Sequence, residues 1–354
     1  MKILYPLLLL VPVVLVLEWV GIENHILMFV LSALALVPLS AVLGDATEQV
    51  SEHTGPKVGG FLNATFGNAP ELIITIVALR EGLVEVVKAS IAGSIIGNML
   101  VVLGASILLG GLRHGEQRFD ARLAATNASM MSLAIVILMV PAIFELGSGD
   151  KGPTHQDIVR LSDGAAIVLI VLYVLYLMAT LFAKSGTPHH TDIPEVRENS
   201  RRGLYLATGV MLAVTLAIVV MSEILVGAIE PTAEAWGLSD LFIGLMLVPL
   251  VGNIAEHLVA VQMALRNKMD LTIGIAVGSG LQIALFVAPV LVLVSQFVGP
   301  EPMTLVFSSY ELAALVGTVI VAVLVSIDGR TRWLEGAELL ALYIVLGLAF
   351  YFVP

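Results

Sequence analysis

Two glutamates stand inside apolar runs, each four residues after a glycine that an asparagine follows. They are Glu71 in Gly67-Asn68-Ala69-Pro70-Glu71 and Glu256 in Gly252-Asn253-Ile254-Ala255-Glu256. An ionised carboxylate held within a bilayer is costly unless something neutralises it. Each glutamate must therefore carry a proton, pair with a cation, or do the two by turns. Calcium prefers carboxylate, carbonyl and water oxygens, and two carboxylates balance its charge. Without the ion, two neighbouring carboxylates repel one another and draw protons, titrating as a pair rather than as independent acids. Protons and a divalent cation then compete for one place, which is the working principle of an antiporter.

The residues around the glutamates suit that chemistry. Glycine permits an unwound turn, and Pro70 removes a backbone donor. A helix broken in this way exposes carbonyls at one end of the break and a positive half-helix terminus at the other. Such backbone persists at membrane depth only where it lines a polar cavity. The following apolar run in each half carries a second motif, Gly93-Ser94-Ile95-Ile96-Gly97-Asn98 and Gly278-Ser279-Gly280-Leu281-Gln282. Ser94 with Asn98 and Ser279 with Gln282 fall on common helical faces and offer neutral oxygens. The expected ion-binding set is Glu71, Glu256, Gly67, Gly252, Asn68, Asn253, Ser94, Asn98, Ser279 and Gln282. Glu71 and Glu256 are its proton carriers, and His257 is an adjacent polar contact. Asp45, Glu48 and Glu52 at one helix end, and Glu223, Glu230 and Glu234 at another, read either as cation-attracting mouths or as solvated helix ends.

The elements that must position these residues are membrane helices. Hydrophobic residues make up 58% of the 354-residue chain and charged ones 13%, against about 25% in soluble domains. Apolar runs at 3–20, 26–44, 58–79, 84–111, 121–144, 158–183, 203–229, 239–264, 271–298, 309–327 and 337–353 each approach the length of a span. The fold expected is an all-α polytopic membrane protein of about eleven transmembrane helices. A signal peptide is the rival reading of the first run, but no small-residue cleavage site precedes Glu18-Trp19. With the N-terminus in the cytoplasm, thirteen of the 17 lysines and arginines fall on that side and the C-terminus lies outside.

A shift of 185 residues, the separation of Gly67 and Gly252, also aligns Gly59 with Gly244, Leu62 with Leu247, and Gly93-Ser94 with Gly278-Ser279. The unit is five helices long. An odd number of spans turns the second copy upside down, which is the inverted-repeat arrangement of secondary transporters. The organisation expected is a leading helix in 1–25, a first repeat in 26–183, a cytoplasmic linker in 184–202 and a second repeat in 203–354. His189, His190, Asp192, Glu195 and Glu198 share that linker with Arg197, Arg201 and Arg202 and read as solvated.

Other classes fare poorly. With no cysteine there is neither a disulfide framework nor a thiolate centre, and a net charge of −11 argues against nucleic acid. An intramembrane metal-dependent hydrolase would need about three protein ligands, yet His257 is the one histidine well inside a span and no His-Glu-x-x-His occurs. A photoreceptor would need a mid-helix lysine, and Lys88 sits towards a helix end. No cofactor is expected beyond the transported ion; the partners expected are Ca²⁺, H⁺ and the lipid bilayer.

Leu62-Asn63-Ala64-Thr65-Phe66-Gly67-Asn68-Ala69 with Glu71, and Gly252-Asn253 with Glu256-His257, Gly278-Ser279 and Gln282, resemble the two α-repeats of the cation/proton exchanger family. The resemblance covers both halves. It implies one leading helix plus five-plus-five inverted repeats, Glu71 and Glu256 as Ca²⁺- and proton-binding carboxylates, and the carbonyls of Gly67 and Gly252 as ligands. It further implies Ser94, Asn98, Ser279 and Gln282 as lining residues, a prokaryotic plasma-membrane member, and access that alternates as segments 1 and 6 slide together. One departure stands out. That family usually has Thr or Val at Pro70, and Pro-Glu is closer to the sodium/calcium exchanger branch, which makes sodium-coupled exchange on the same fold the alternative.

Overall fold

Lipid offers the backbone no hydrogen-bond partners, so a chain this apolar must satisfy its N–H and C=O groups within helices. The computed structural model, which describes residues 2–54, 59, 62, 65–147, 152–182 and 201–353, is helical almost throughout. The expected linker therefore lies largely outside the described residues, with His189, His190, Asp192, Glu195, Arg197 and Glu198.

A tight 3₁₀ stretch over Lys2–Leu9 leads into α1 (Leu10–Val20). Next come α2 (His25–Thr54), α3 (Ala69–Arg80), α4 (Val84–His114), α5 (Ala121–Leu146) and α6 (His155–Phe182). The second half holds α7 (Arg201–Gly227), the short α8 (Ile229–Trp236), α9 (Asp240–Gly252) and α10 (Ile254–Leu265). It closes with α11 (Met269–Ser295), α12 (Ser309–Ser326) and α13 (Trp333–Tyr351).

Among the described residues, eight helical stretches are long and apolar enough to cross a membrane, and α9 with α10 makes a ninth span bent by 62°. The segment-3 run is helical from Ala69, beyond a break at Gly67-Asn68. The leading helix, at Leu4–Val20, is shorter than the other spans. Segment 7 continues past its expected end into α8, so Glu230 and Glu234 sit on that separate helix.

Burial separates centre from periphery. In α4 and α11, 72% and 67% of the apolar window is buried inside the protein, against 22% in α6 and α13. The helices that carry the Gly-Ser motifs thus form the middle, and α6 and α13 face lipid. Around them, α2 packs along most of α7, and α3 also lies on α7. The first helices of the two repeats, segments 2 and 7, are therefore the pair that cross. This corrects the pairing of segments 1 and 6: α1 packs on α2, whereas α6 packs on α11.

Contacts between distant loops sort into two ends. At one end, β1 (Gln117–Arg118) pairs antiparallel with β2 (Arg330–Thr331). There the Gln117 amide donates to the Ala264 carbonyl and to Asn267, and Glu116 gathers Arg118, Arg330 and Arg332. At the other end, Arg80 pairs with Glu223, Gln296 donates to Asp163, and the Leu305 N–H donates to Ser162. This is the alternation of ends that successive spans require.

Close approach of α4 to α9 is what brings the two motifs together. A Cβ on Gly93 would fall on the Leu245 carbonyl, and one on Gly244 would lie 2.8 Å from the Val86 carbonyl. Small residues at such crossings let backbones meet.

Candidate cation site

The site begins with two matching breaks. Asn68 has φ −102° and ψ 20°, and Asn253 has φ −96° and ψ 4°. Beyond each break the helix restarts in the same way, with Leu72 N–H donating to the Asn68 carbonyl and His257 N–H to the Asn253 carbonyl, both at 3.0 Å. Pro70 falls in the first turn of α3, where a missing N–H costs nothing. Each glutamate also falls in the first turn of its restarted helix, where the helix dipole favours negative charge.

The two halves then cross-link. Ser279 Oγ donates to Asn68 Oδ1 at 3.4 Å, and Asn253 Nδ2 donates to Ser94 Oγ at 3.3 Å. These pairs exchange repeat-equivalent residues, as a two-fold relation between the halves demands. Asn98 Nδ2 donates to Ser279 Oγ at 3.2 Å, and Asn68 Nδ2 donates to Gln282 Oε1. Wide π-helical turns at Gly97–Val102 and Ile283–Val287 adjoin these contacts; such turns recur at functional places. The symmetry is incomplete, because Gln282 faces Asn68 whereas its counterpart in the first half is Gly97.

The carboxylates lie against this frame. Glu71 is 5% exposed and abuts Gly252 so closely that a Cβ there would sit 2.9 Å from Glu71 Oε1. Glu71 of the first half thus lies against the second break, whose Gly252 stands four residues before Glu256 along the chain. Four buried oxygens from this cluster find no hydrogen-bond partner among the described residues: Glu71 Oε2, Glu256 Oε2, Asn98 Oδ1 and Asn253 Oδ1. A buried acceptor left unpaired costs free energy, and these four, drawn from both halves, are acceptors that a cation can satisfy. The donor set is all oxygen, which suits calcium. His257 shares a tight pocket with Ser94, Gly97, Asn253 and Tyr343.

All ten expected ion-binding residues fall at this crossing, in α3, α4, α9, α10, α11 and the two breaks. The mouth acids divide. Asp45 accepts a hydrogen bond from the Tyr5 hydroxyl at 2.9 Å, Glu48 is exposed and Glu52 is half-buried. Glu223 is not a free attractor, because Arg80 pairs with it at 3.0 Å; Glu230 is exposed on α8. Sequence reasoning missed that Lys88 is 8% exposed, one turn inside α4, and that Glu311 is 1% exposed. The signal for Glu311 was the Ser308-x-x-Glu311 capping box.

Comparison with known proteins follows the same outline. The sequence profile of the sodium/calcium exchanger protein family matches residues 24–182 and 206–352. A Ca²⁺/H⁺ antiporter of Aphanothece halophytica is 43% identical over 99% of this chain and 97% of its own. The structure of native YfkE superposes with a TM-score of 0.85 at 38% identity, covering 99% of this chain and all of that one. The H⁺/Ca²⁺ exchanger CAX shares the fold at 17% identity, with a TM-score of 0.77 over 98% of this chain and 87% of that one.

Proposed function

The chain belongs to the sodium/calcium exchanger protein family and within it to the cation/proton exchangers, and on that premise we propose how its site performs the exchange. It is an integral membrane antiporter that moves Ca²⁺ against H⁺, as its relatives' names describe. The observation that carries the assignment to this site is the set of four unpaired buried oxygens on Glu71, Glu256, Asn98 and Asn253.

Ca²⁺ binds between the two glutamates, taking carboxylate oxygens from Glu71 and Glu256 and amide oxygens from Asn98 and Asn253. The carbonyls of Gly67 and Gly252, at the two breaks, complete part of its shell. The remaining ligands are water, within the six to eight oxygens that calcium accepts. Asn68, Ser94, Ser279 and Gln282 hold the two half-sites together through the hydrogen bonds described above. When the ion leaves, each carboxylate takes a proton, which removes the mutual repulsion of two buried charges. The loaded states, one with an ion and one with protons, are both neutral within the site. The site with two bare charges is costly, so an empty site does not return readily. That penalty is what couples the two fluxes.

We read 26–183 and 203–354 as the inverted repeats, with the β1–β2 end in the cytoplasm and the Arg80–Glu223 end outside. The chain then extrudes Ca²⁺ across a prokaryotic plasma membrane in exchange for incoming protons. Sodium-coupled exchange is the second reading, kept by Pro70, whose Pro-Glu pairing resembles the sodium branch. Sodium-free proteoliposomes with an imposed pH gradient separate the two. Uptake of Ca²⁺ there, unchanged by added sodium, supports proton coupling; uptake that needs a sodium gradient refutes it.

A further inference from the structure

The two half-helices that carry the glutamates end in the same turn. After α3 the Gly82 N–H donates to the Leu79 carbonyl at 3.1 Å and the Leu83 N–H to the Ala78 carbonyl at 2.9 Å. After α10, at the repeat-equivalent positions, the Asn267 N–H donates to the Ala264 carbonyl and the Lys268 N–H to the Met263 carbonyl, both at 2.9 Å. Gly82, at φ +85°, and Asn267, at φ +58°, fill the left-handed place in each turn. That place suits glycine. Asn267 is the one non-glycine residue with positive φ among the described residues, so its side chain needs a reason.

The loop that follows α4 supplies it. Gln117, 1% exposed, divides its two amide hydrogens: Nε2 donates to the Ala264 carbonyl at 3.0 Å and to Asn267 Oδ1 at 2.9 Å. A helix leaves its last four carbonyls without an internal partner. Gln117 takes one of those of α10, and His114 Nε2, at 2.9 Å, takes that of Leu265. Gln117 Oε1 is buried without a partner among the described residues, so the two donations alone offset the burial of this amide. Gly110 makes room for it, because a Cβ there would fall on Gln117 Oε1 and lie 3.1 Å from Ala264 Cβ. The first half does not repeat the clamp. The counterpart of Gln117 is Pro302, which has no donor, and a Cβ on Gly299 would fall on the Leu79 carbonyl. The end of α3 is tied instead to α7, through Arg80 and Glu223, whereas α10 packs along the second half of α4.

We propose that Gln117, with Asn267 as its acceptor, is a positioning residue for Glu256. The 62° bend between α9 and α10 means that the course of α9 does not fix how α10 lies on α4. Hydrogen bonds at its two ends do so: Asn253 to Ser94 at one, Gln117 and His114 at the other. Glu256 stands between them, eight residues and about 12 Å of helix rise from Ala264. A helix this short moves as one piece, so a slip at Ala264 reaches the carboxylate undiminished. The structure thus treats the two glutamates unequally. Glu256 is anchored to the helix that carries Ser94 and Asn98, and Glu71 rides on a half-helix anchored to the crossing pair. The inference rests on the reading of Glu256 as a Ca²⁺ ligand.

The test uses the full chain in sodium-free proteoliposomes, with initial rates of Ca²⁺ uptake under a pH gradient, and Ca²⁺ titration in detergent beside it. Asn267→Gly copies the turn that Gly82 makes in the first half, so the backbone is unstrained and only the clamp is lost. A shift of a few tenths of an ångström at Glu256, at about 10²-fold per ångström, should raise the KM for Ca²⁺ about fivefold in Asn267→Gly and in Gln117→Ala. Asn267→Asp keeps the acceptor oxygen and tolerates the left-handed backbone, so it should restore the native KM. A merely structural clamp would lower the melting temperature or the maximal rate and leave KM alone. Native KM in a well-folded Asn267→Gly overturns the proposal, even if Gln117→Ala folds poorly, and so does an Asn267→Asp that behaves like Asn267→Gly. A native chain that takes up no Ca²⁺ under the gradient fails the exchange reading instead. The same weakening, read by titration in detergent, then still decides the clamp.

Discussion

Replacing Gly252 by alanine tests the site at its tightest contact. The added Cβ would stand 2.9, 3.0 and 3.1 Å from Oε1, Cγ and Cδ of Glu71, about half an ångström inside ordinary contact. Nothing on the backbone at 252 demands glycine, since its φ is not positive, so the cost falls on the carboxylate. Displacing a functional group by about 1 Å costs on the order of 10²-fold. A shift of half that size therefore predicts about a tenfold loss of Ca²⁺ affinity, or about 1.4 kcal/mol. Gly278→Ala is the control, because a Cβ there meets no atom within 4 Å, and losing a glycine inside a helix adds roughly 0.5–1 kcal/mol of stability. Calorimetric titration of Ca²⁺ in detergent, with thermal melts of each variant, separates affinity from folding. Native affinity in a well-folded Gly252→Ala would refute the placement of Glu71 against the second break.

Other consequences follow from the same geometry. Gly93→Ala, repeat-equivalent to Gly278→Ala, drives a Cβ onto the Leu245 carbonyl, and rigid backbone cannot retreat. It should cost about 3 kcal/mol or more where its counterpart costs nothing, and equal melting temperatures would contradict the crossing. The Arg80–Glu223 pair joins α3 to α7 at 3.0 Å but is substantially exposed, so solvent screens it and it adds little to stability. Arg80→Glu should change the exchange rate by no more than about fivefold, with partial recovery in Arg80→Glu/Glu223→Arg; no recovery would show that the pair does not act. Because protons and Ca²⁺ compete for two carboxylates, apparent Kd should rise as pH falls, approaching about 100-fold per pH unit where two protons are displaced. Glu71→Gln should lower that slope towards one proton, and a slope near zero in the native chain would exclude competition.

Much of this site was legible in the sequence because its parts are chemically out of place. A glutamate after Gly-Asn in an apolar run has few structural excuses, and its recurrence at one fixed offset pointed to two halves facing one another. The matching backbone of Asn68 and Asn253, and the exchanged pairs Asn68–Ser279 and Asn253–Ser94, fit that reading. What could not be read is contact between chain-distant side chains. Glu223 and Glu230 look alike as acids near a helix end, yet only Glu223 has Arg80 within 3.0 Å. Tyr5 reaching Asp45 depends on how α1 leans on α2, which no spacing encodes. Lys88 looked like a helix end because Val84 begins the helix only one turn earlier, but packing between helices buries it. The crossing of segments 2 and 7, rather than any pairing of 1 and 6, likewise follows from packing and not from pattern.

Ca²⁺ flux through Glu71→Gln and Glu256→Gln tests the central claim most directly. Sodium-free proteoliposomes with an imposed pH gradient should accumulate Ca²⁺ with the native chain and not without the gradient. Both variants should be silent, since each removes one of two carboxylates that must carry ion and proton by turns. Transport at the native rate in either variant would contradict the claim that these two glutamates exchange Ca²⁺ for H⁺.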